Sequence, residues 1–184
     1  MKLTASIIVA AGLNLVNDEG FDAFTTRKLA AALAIKGPSL YHHFSSREHL
    51  LDAMAIELMR RFIFDVPLNE GWEAFLRNFA IRGRNMALSV RDGARILTAS
   101  VPRNAEREAV ATKYAMYLMK EGFTHDAAFR ALGTISSFSS GWSMHEQARR
   151  EWLLSVMDVE HTFRLSIESI IAGLRLDFVA RAAE

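Results

Sequence analysis

The stretch TTRKLAAALAIKGPSLYHHF, Thr25 to Phe44, reads as two short helices joined by a tight turn. Thr25 or Thr26 can cap the first helix, because a side-chain oxygen there accepts one of the orphan amides of the opening turn. Leu29 and Leu33 share a face, and Ala30–Ala32 let a neighbour come close. The turn Ala34-Ile35-Lys36-Gly37 leads to Pro38, a good first helical residue because no amide is needed there. Leu40 and Phe44 point inward, which leaves Ser39, Tyr41, His42 and His43 outward. That face lacks the Lys and Glu of a solvated helix and suits a surface that must approach closely. A helix-turn-helix sets its second helix in the major groove with its N-terminal residues at the base edges. Gly37 and Ser39 would let the backbone approach, while Arg27, Tyr41, His43 and Arg47 could reach phosphates. On spacing alone, a packing corner of an all-helical protein explains the pair as well. A metal site at His42, His43 and His49 is a poorer reading, since adjacent residues diverge on a helix and no carboxylate completes a set.

Outward from this stretch the pattern stays helical, with three Pro and ten Gly in 184 residues. Residues 4–18 carry an apolar face, with Thr4 as a cap and Gly20 just past the end. Ser45 or Ser46 can cap a long connecting helix over 46–64. Helices are expected at 72–89, from Arg91-Asp92 to Leu97, and at about 104–121 after a loop begun by Pro102. Two long ones follow at 125–147 and 159–181. The last two carry small residues and an Ile-rich stripe that suit a packing seam, within one chain or between two.

Composition narrows the function. Lys plus Arg exceeds Asp plus Glu by one, so a nucleic-acid surface must come from placement and not from bulk charge. There is no Cys, which excludes disulfides and thiolate chemistry. No apolar run approaches the ~18 residues of a membrane span, and no signal peptide is read. For catalysis the best pairs are His145-Glu146 and Glu160-His161, without a nucleophile at defined spacing or a phosphate loop. We therefore expect no enzyme, no cofactor and no metal, in a cytoplasmic protein.

Residues 3–62 resemble the DNA-binding domain of tetracycline-repressor (TetR) family regulators. The resemblance rests on Gly20-Phe21, Thr25-Thr26-Arg27-Lys28-Leu29-Ala30, Pro38-Ser39-Leu40-Tyr41-His42-His43-Phe44 and Arg47-Glu48-His49-Leu50-Leu51. It implies that Thr26, Arg27, Gly37, Pro38, Ser39, Tyr41 and His43 meet DNA and that Arg47 holds a phosphate. Trp72, Phe75-Leu76-Arg77-Asn78, Arg91-Asp92-Gly93-Ala94-Arg95, Gly122-Phe123 and Ser137-Phe138 with Gly141 extend the likeness to the regulatory domain of tetracycline repressors. The implied architecture is all-α. A three-helix DNA-binding domain at 1–46 and a ligand-binding and dimerisation domain at 47–184 are joined by the helix 46–64. The implied partners are a palindromic double-stranded DNA operator, a second copy of the chain in a homodimer, and a small-molecule effector, with no membrane.

The departures bear on the ligand. Where tetracycline repressors have a magnesium-holding His, this chain has Leu97; their Thr-Arg-Pro is Ser100-Val101-Pro102. A second Asn is Phe79, a Gln is Tyr114, and an acidic position aligns with His145. Magnesium needs octahedral oxygen ligands, which Leu97 and Phe79 lack. The expected ligand is a flat, largely apolar molecule other than magnesium-tetracycline. Its expected contacts are Phe62, Phe79, Arg82, Met86, Leu97, Ser100, Tyr114, Phe138, Trp142 and His145, with Phe64 and Met116 also on the lining. The alternative is a constitutive or architectural DNA-binding protein with a solid core.

Overall fold

A computed structural model describes residues 3–100 and 105–182, with side chains as far as Leu176. The fold is all-α, an N-terminal helix-turn-helix unit followed by a helical C-terminal domain. The first unit holds α1 (Ala5–Glu19), α2 (Thr26–Ala32) and α3 (Gly37–Tyr41). The long helix α4 (Arg47–Phe62) leads out of it to α5 (Trp72–Leu88), α6 (Gly93–Ala99), α7 (Ala105–Lys120), α8 (His125–Val156) and α9 (Val159–Ala182). Val101 and Pro102 of the expected interhelical loop lie outside the described residues.

Local chemistry starts these helices where they start. Thr4 accepts from the Ile7 amide, Thr25 from Lys28, Ser46 from His49 and Thr124 from Ala127. Each removes one orphan donor of a first turn. Gly20 ends α1 at φ 86°, a conformation that costs a residue with a Cβ. Among the boundaries that differ from the sequence reading, two have a visible cause. The short helix expected from Arg91-Asp92 begins at Gly93, because Asp92 turns into the left-handed region at φ 55° and stands before it. The helix expected to end near 147 runs on to Val156 across a break at Arg149, where φ is −137°. It continues because Leu153 returns to the core.

Buried residues form two clusters. One gathers Ile8, Leu29, Leu40 and Phe44 of the first unit around Leu50, Met54 and Leu58 of α4, and takes in Val90 and Ile96. The other gathers Phe75, Tyr114, Leu118, Ile135, Phe163 and Ile167. Met86 packs against both. In α5, Gly83 faces Ser139 of α8, where an added Cβ would make ordinary contact at 3.7 Å. The Ile stripe of α9 is therefore largely intrachain core, since Phe163, Ile167 and Ile171 are all buried.

One charged network lies at the far end of this core. Arg84 of α5 makes a two-pronged pair with Glu146 of α8 at 2.8 and 2.9 Å, and reaches Glu160 of α9 at 2.5 Å. Burial pulls the Arg84 pKa down, but the two carboxylates more than offset it and the net shift is upward. Glu146 is 1% exposed, so this pair fixes how α5, α8 and α9 meet.

Candidate nucleic-acid interface and ligand cleft

Leu29, Leu40 and Phe44 are buried, and that sets which face of α2 and α3 is free. Arg27, Gly37, Pro38, Tyr41 and His43 are exposed; Thr26 and Ser39 are half-buried between them. The Tyr41 hydroxyl lies 3.5 Å from that of Thr26 across a shallow groove between the two helices. Tyr41 is 52% exposed, a large aromatic side chain left in water beside an arginine that has no acidic partner among the described residues. The turn between the helices is closed by Ala34 at φ 53° and by the Ile35 amide donating to the Ala30 carbonyl at 3.0 Å. Arg47 is half-buried, its guanidinium stacked over Phe21 and Phe24 at 5.4 and 5.6 Å. Its head is thus held against the aromatic edge of the first core.

The stretch Arg91–Arg95 ties the C-terminal domain to this unit. Asp92 Oδ2 accepts from the Phe21 amide at 2.9 Å, and the Arg91 amide donates to Asn17 Oδ1 at 3.1 Å. Arg95 forks onto Asp22 at 2.6 and 2.8 Å and stacks over Phe21 at 4.7 Å. On its other side α6 is held by Gln147 of α8. The Gln147 Oε1 accepts from the Ala94 amide at 3.1 Å, while its Nε2 donates to the Ala87 and Val90 carbonyls at 3.0 and 2.9 Å. Gly93 fits there because a Cβ would come within 2.3 Å of the Ala87 carbonyl oxygen. A chain of short polar contacts thus runs from α8 through α6 to the α1–α2 loop.

A cleft of about 330 Å³ opens between α4, α5, α7 and α8. Met59, Ile63, Phe79, Val110 and Leu132 give it apolar walls, and Tyr114 adds a ring. Phe79 packs on Phe75 at 5.9 Å and meets Tyr114 edge-on at 5.7 Å, so the aromatic wall is rigid. The Tyr114 hydroxyl donates to the Ile63 carbonyl and accepts from the Val66 amide at 3.2 Å. Burial pushes its pKa up. Arg107 and Ser136 are polar groups on the lining. Burial pulls the Arg107 pKa down, and nearby Asp52 offsets only part.

The structure places Phe79 and Tyr114 of the expected contacts on this cleft; the other eight stand outside it. Phe62 is partly buried beside Ile63, and Arg82 donates to its carbonyl at 3.3 Å. Met86 lies at the junction of the two clusters, and Leu97 packs against the N-terminal one. Ser100 is buried, donating to the Leu97 carbonyl at 2.8 Å and accepting from Arg107. Phe138 and Trp142 turn to Phe163, with ring centroids 5.8 Å away in each case. His145 is exposed with its ring toward Trp152, because Glu146 takes the inward position next to it. Met116 is 55% exposed and does not reach the cleft, since Tyr114, Ala115 and Tyr117 take the buried positions around it. Arg107 was missed. Its signal was spacing: Arg107, Ala111 and Tyr114 fall on one helical face.

Residues 8–54 match the family described as bacterial regulatory proteins, tetR family, and residues 66–156 match the tetracyclin repressor-like C-terminal domain. The chain is similar to the class D tetracycline repressor protein of Escherichia coli, 30% identical over 97% of this chain and 92% of that protein. It is 38% identical to the class G tetracycline repressor protein of Vibrio anguillarum over 80% of this chain and 70% of that one. Its fold superposes on TetR of Acinetobacter baumannii AYE, in a variant solved in complex with minocycline, with a TM-score of 0.85 and 35% identity, covering 95% of this chain and 97% of that one. With both halves matched in order and full-length relatives at this identity, the chain belongs to the tetR family of bacterial regulatory proteins.

Proposed function

We propose that this protein is a ligand-responsive repressor. It acts as a homodimer in the cytoplasm, reading a palindromic operator with α2 and α3 and releasing it when a small, largely apolar molecule enters the cleft. The observation that carries this reading is the position of α4. Met59 and Ile63 near its end line the cleft, while Leu50 and Met54 at its start are core of the DNA-reading unit. A molecule that moves the end of α4 moves the unit that α4 carries, with α6 and its Asp92 contact as a second link. Half-sites ~34–36 Å apart tolerate little change in the spacing of two reading helices. The ligand acts only through tighter binding to the DNA-incompetent arrangement, so operator and ligand weaken each other by the same factor.

Within the reading helices, Thr26, Arg27 and Tyr41 flank the groove and Gly37, Pro38 and Ser39 let α3 approach, with His43 beside them. Arg47 anchors the start of α4 against a phosphate from its stacked position.

The ligand of this reading is not magnesium-tetracycline. Among the described residues no carboxylate or imidazole lines the cleft, and the charged group among them is the cation Arg107, which repels a divalent metal. Leu97 and Phe79 supply no metal ligand in either place. The test is a thermal-shift screen against planar apolar compounds with tetracycline plus magnesium included. A ligand that binds only the folded state raises the midpoint by mass action. A hit among the apolar compounds with tetracycline silent is the expected result; a strong tetracycline response refutes this choice of ligand.

A further inference from the structure

The polar groups around the cleft are largely engaged by the protein itself. Tyr114 serves the backbone of Ile63 and Val66, Ser100 that of Leu97, and Arg82 that of Phe62. Arg107 stands differently. Its side chain is 18% exposed, and its Nε is buried without a hydrogen-bond acceptor among the described residues. One Nη donates to Ser100. Asp52 Oδ1 is 4.0 Å from Nε, close enough to attract but too far to accept a hydrogen bond. An arginine stays charged in proteins, so a cation lies on the lining of a cavity whose other walls are mainly aliphatic and aromatic, while its Nε is turned to Asp52. A cation on an apolar wall, with one carboxylate at 4.0 Å and one hydroxyl as partners, is best complemented by an anion.

Resting on the ligand-responsive reading above, we propose that the effector is an amphipathic acid, with a flat apolar body between Phe79, Val110 and Leu132 and one carboxylate on the Arg107 guanidinium. The guanidinium fork matches a planar carboxylate with two parallel donors, which a neutral isostere cannot repay equally. An apolar amine meets the like charge of Arg107. The same contact gives the ligand a handle on α4. Asp52 is a buried residue of α4, and its attraction to Arg107 crosses from α4 to α7. A second anion on Arg107 competes with Asp52 for that charge. It loosens α7 from the helix that carries the DNA-reading unit.

Matched pairs of an aromatic acid and its primary amide test this: 2-naphthoic acid with 2-naphthamide, biphenyl-4-carboxylic acid with its amide, and anthracene-9-carboxylic acid with its amide. Each is titrated calorimetrically into the intact protein at neutral pH. The acids are expected to bind at least about tenfold tighter than their amides. Arg107→Gln removes that preference, and Arg107→Lys keeps part of it. Acid and amide binding equally to the unmodified protein overturns the role of Arg107 while leaving a ligand-responsive cleft in place. So does an acid preference that survives in Arg107→Gln. Silence of every pair overturns both the acid preference and the ligand reading beneath it. The comparison on the unmodified protein holds even if a variant folds poorly.

Discussion

Asp92 and Phe21 are 71 positions apart, yet the Asp92 carboxylate accepts the Phe21 amide at 2.9 Å. The bond joins α6 of the C-terminal domain to the loop between α1 and α2, and it is reinforced by Arg95 on Asp22. It exists because Asp92 takes a left-handed turn and Gly93 lets α6 press onto the Ala87 carbonyl. It is one of the contacts by which the C-terminal domain holds the N-terminal unit.

Asp92→Ala removes the acceptor. The account expects the variant to stay folded and to bind ligand, and to lose much of the ligand's effect on DNA. Coupling between two sites is commonly about 5- to 150-fold, and Asp92→Ala should bring it toward unity. Parallel titrations with operator and ligand measure this. Full coupling in the variant means that the signal travels by another route, such as α4 alone.

Tyr41→Ala should weaken operator binding by about five- to tenfold through lost hydrogen bonds to the backbone, with the thermal midpoint almost unchanged, because the side chain is exposed. Unfolding of the variant contradicts that placement. Arg27→Ala should lower both affinity and its salt dependence, the slope of log K against log salt falling by about 0.9 for one phosphate contact. An unchanged slope removes Arg27 from the phosphates.

Glu146→Ala leaves Arg84 charged and buried without its two-pronged partner. A cost of about 3–5 kcal/mol follows from breaking a buried pair on one side. The double variant Arg84→Met with Glu146→Leu should recover most of it. Denaturant melts of the three proteins decide this. A small cost for Glu146→Ala would mean that Glu160 suffices for Arg84.

Acid should loosen the seam between α5 and α9. Arg175 holds the Glu73 carboxyl below its usual value of 4.5, and Arg77 does the same for Glu168. A carboxylate with a lowered folded pKa contributes stability that is full above its unfolded value and lost as pH falls through the folded one. Melting temperature should therefore hold from pH 8 to 6 and decline below about 4.5. Arg175→Ala should decline less steeply. Equal slopes in the two proteins would deny the contact its part.

The reading helices were the most legible part of the chain in sequence. The Thr25 cap, Pro38 and the Leu29, Leu40 and Phe44 spacing are local signals, and local rules govern them. The cleft was harder to read. Sequence periodicity places a residue on a face, but it does not say which neighbour that face meets. Phe138 and Trp142 have the spacing of a lining; both meet Phe163, and neither borders the cleft of Phe79 and Tyr114. His145 was placed by its chemistry and lies outside, while its neighbour Glu146 turns inward to a residue 62 positions earlier. Tyr114 and Ser100 have the chemistry of orienting groups, yet their hydroxyls are engaged by backbone carbonyls: that of Ser100 by Leu97 three residues earlier, a local pattern, and that of Tyr114 by Ile63, 51 positions away, which no spacing rule reveals. Arg107 shares a helical face with Ala111 and Tyr114, a spacing visible in sequence, but the tertiary fold decides that this face meets the cleft.

The most direct test of the account is the affinity of the protein for the duplex it selects from a random pool, measured by anisotropy with and without a saturating ligand from the thermal-shift panel. The account predicts a palindromic selection and a roughly 5- to 150-fold loss of affinity when the ligand binds. Tight DNA binding that stays the same while the ligand occupies the cleft would contradict it, and would leave a DNA-binding protein whose cleft does not govern its reading head.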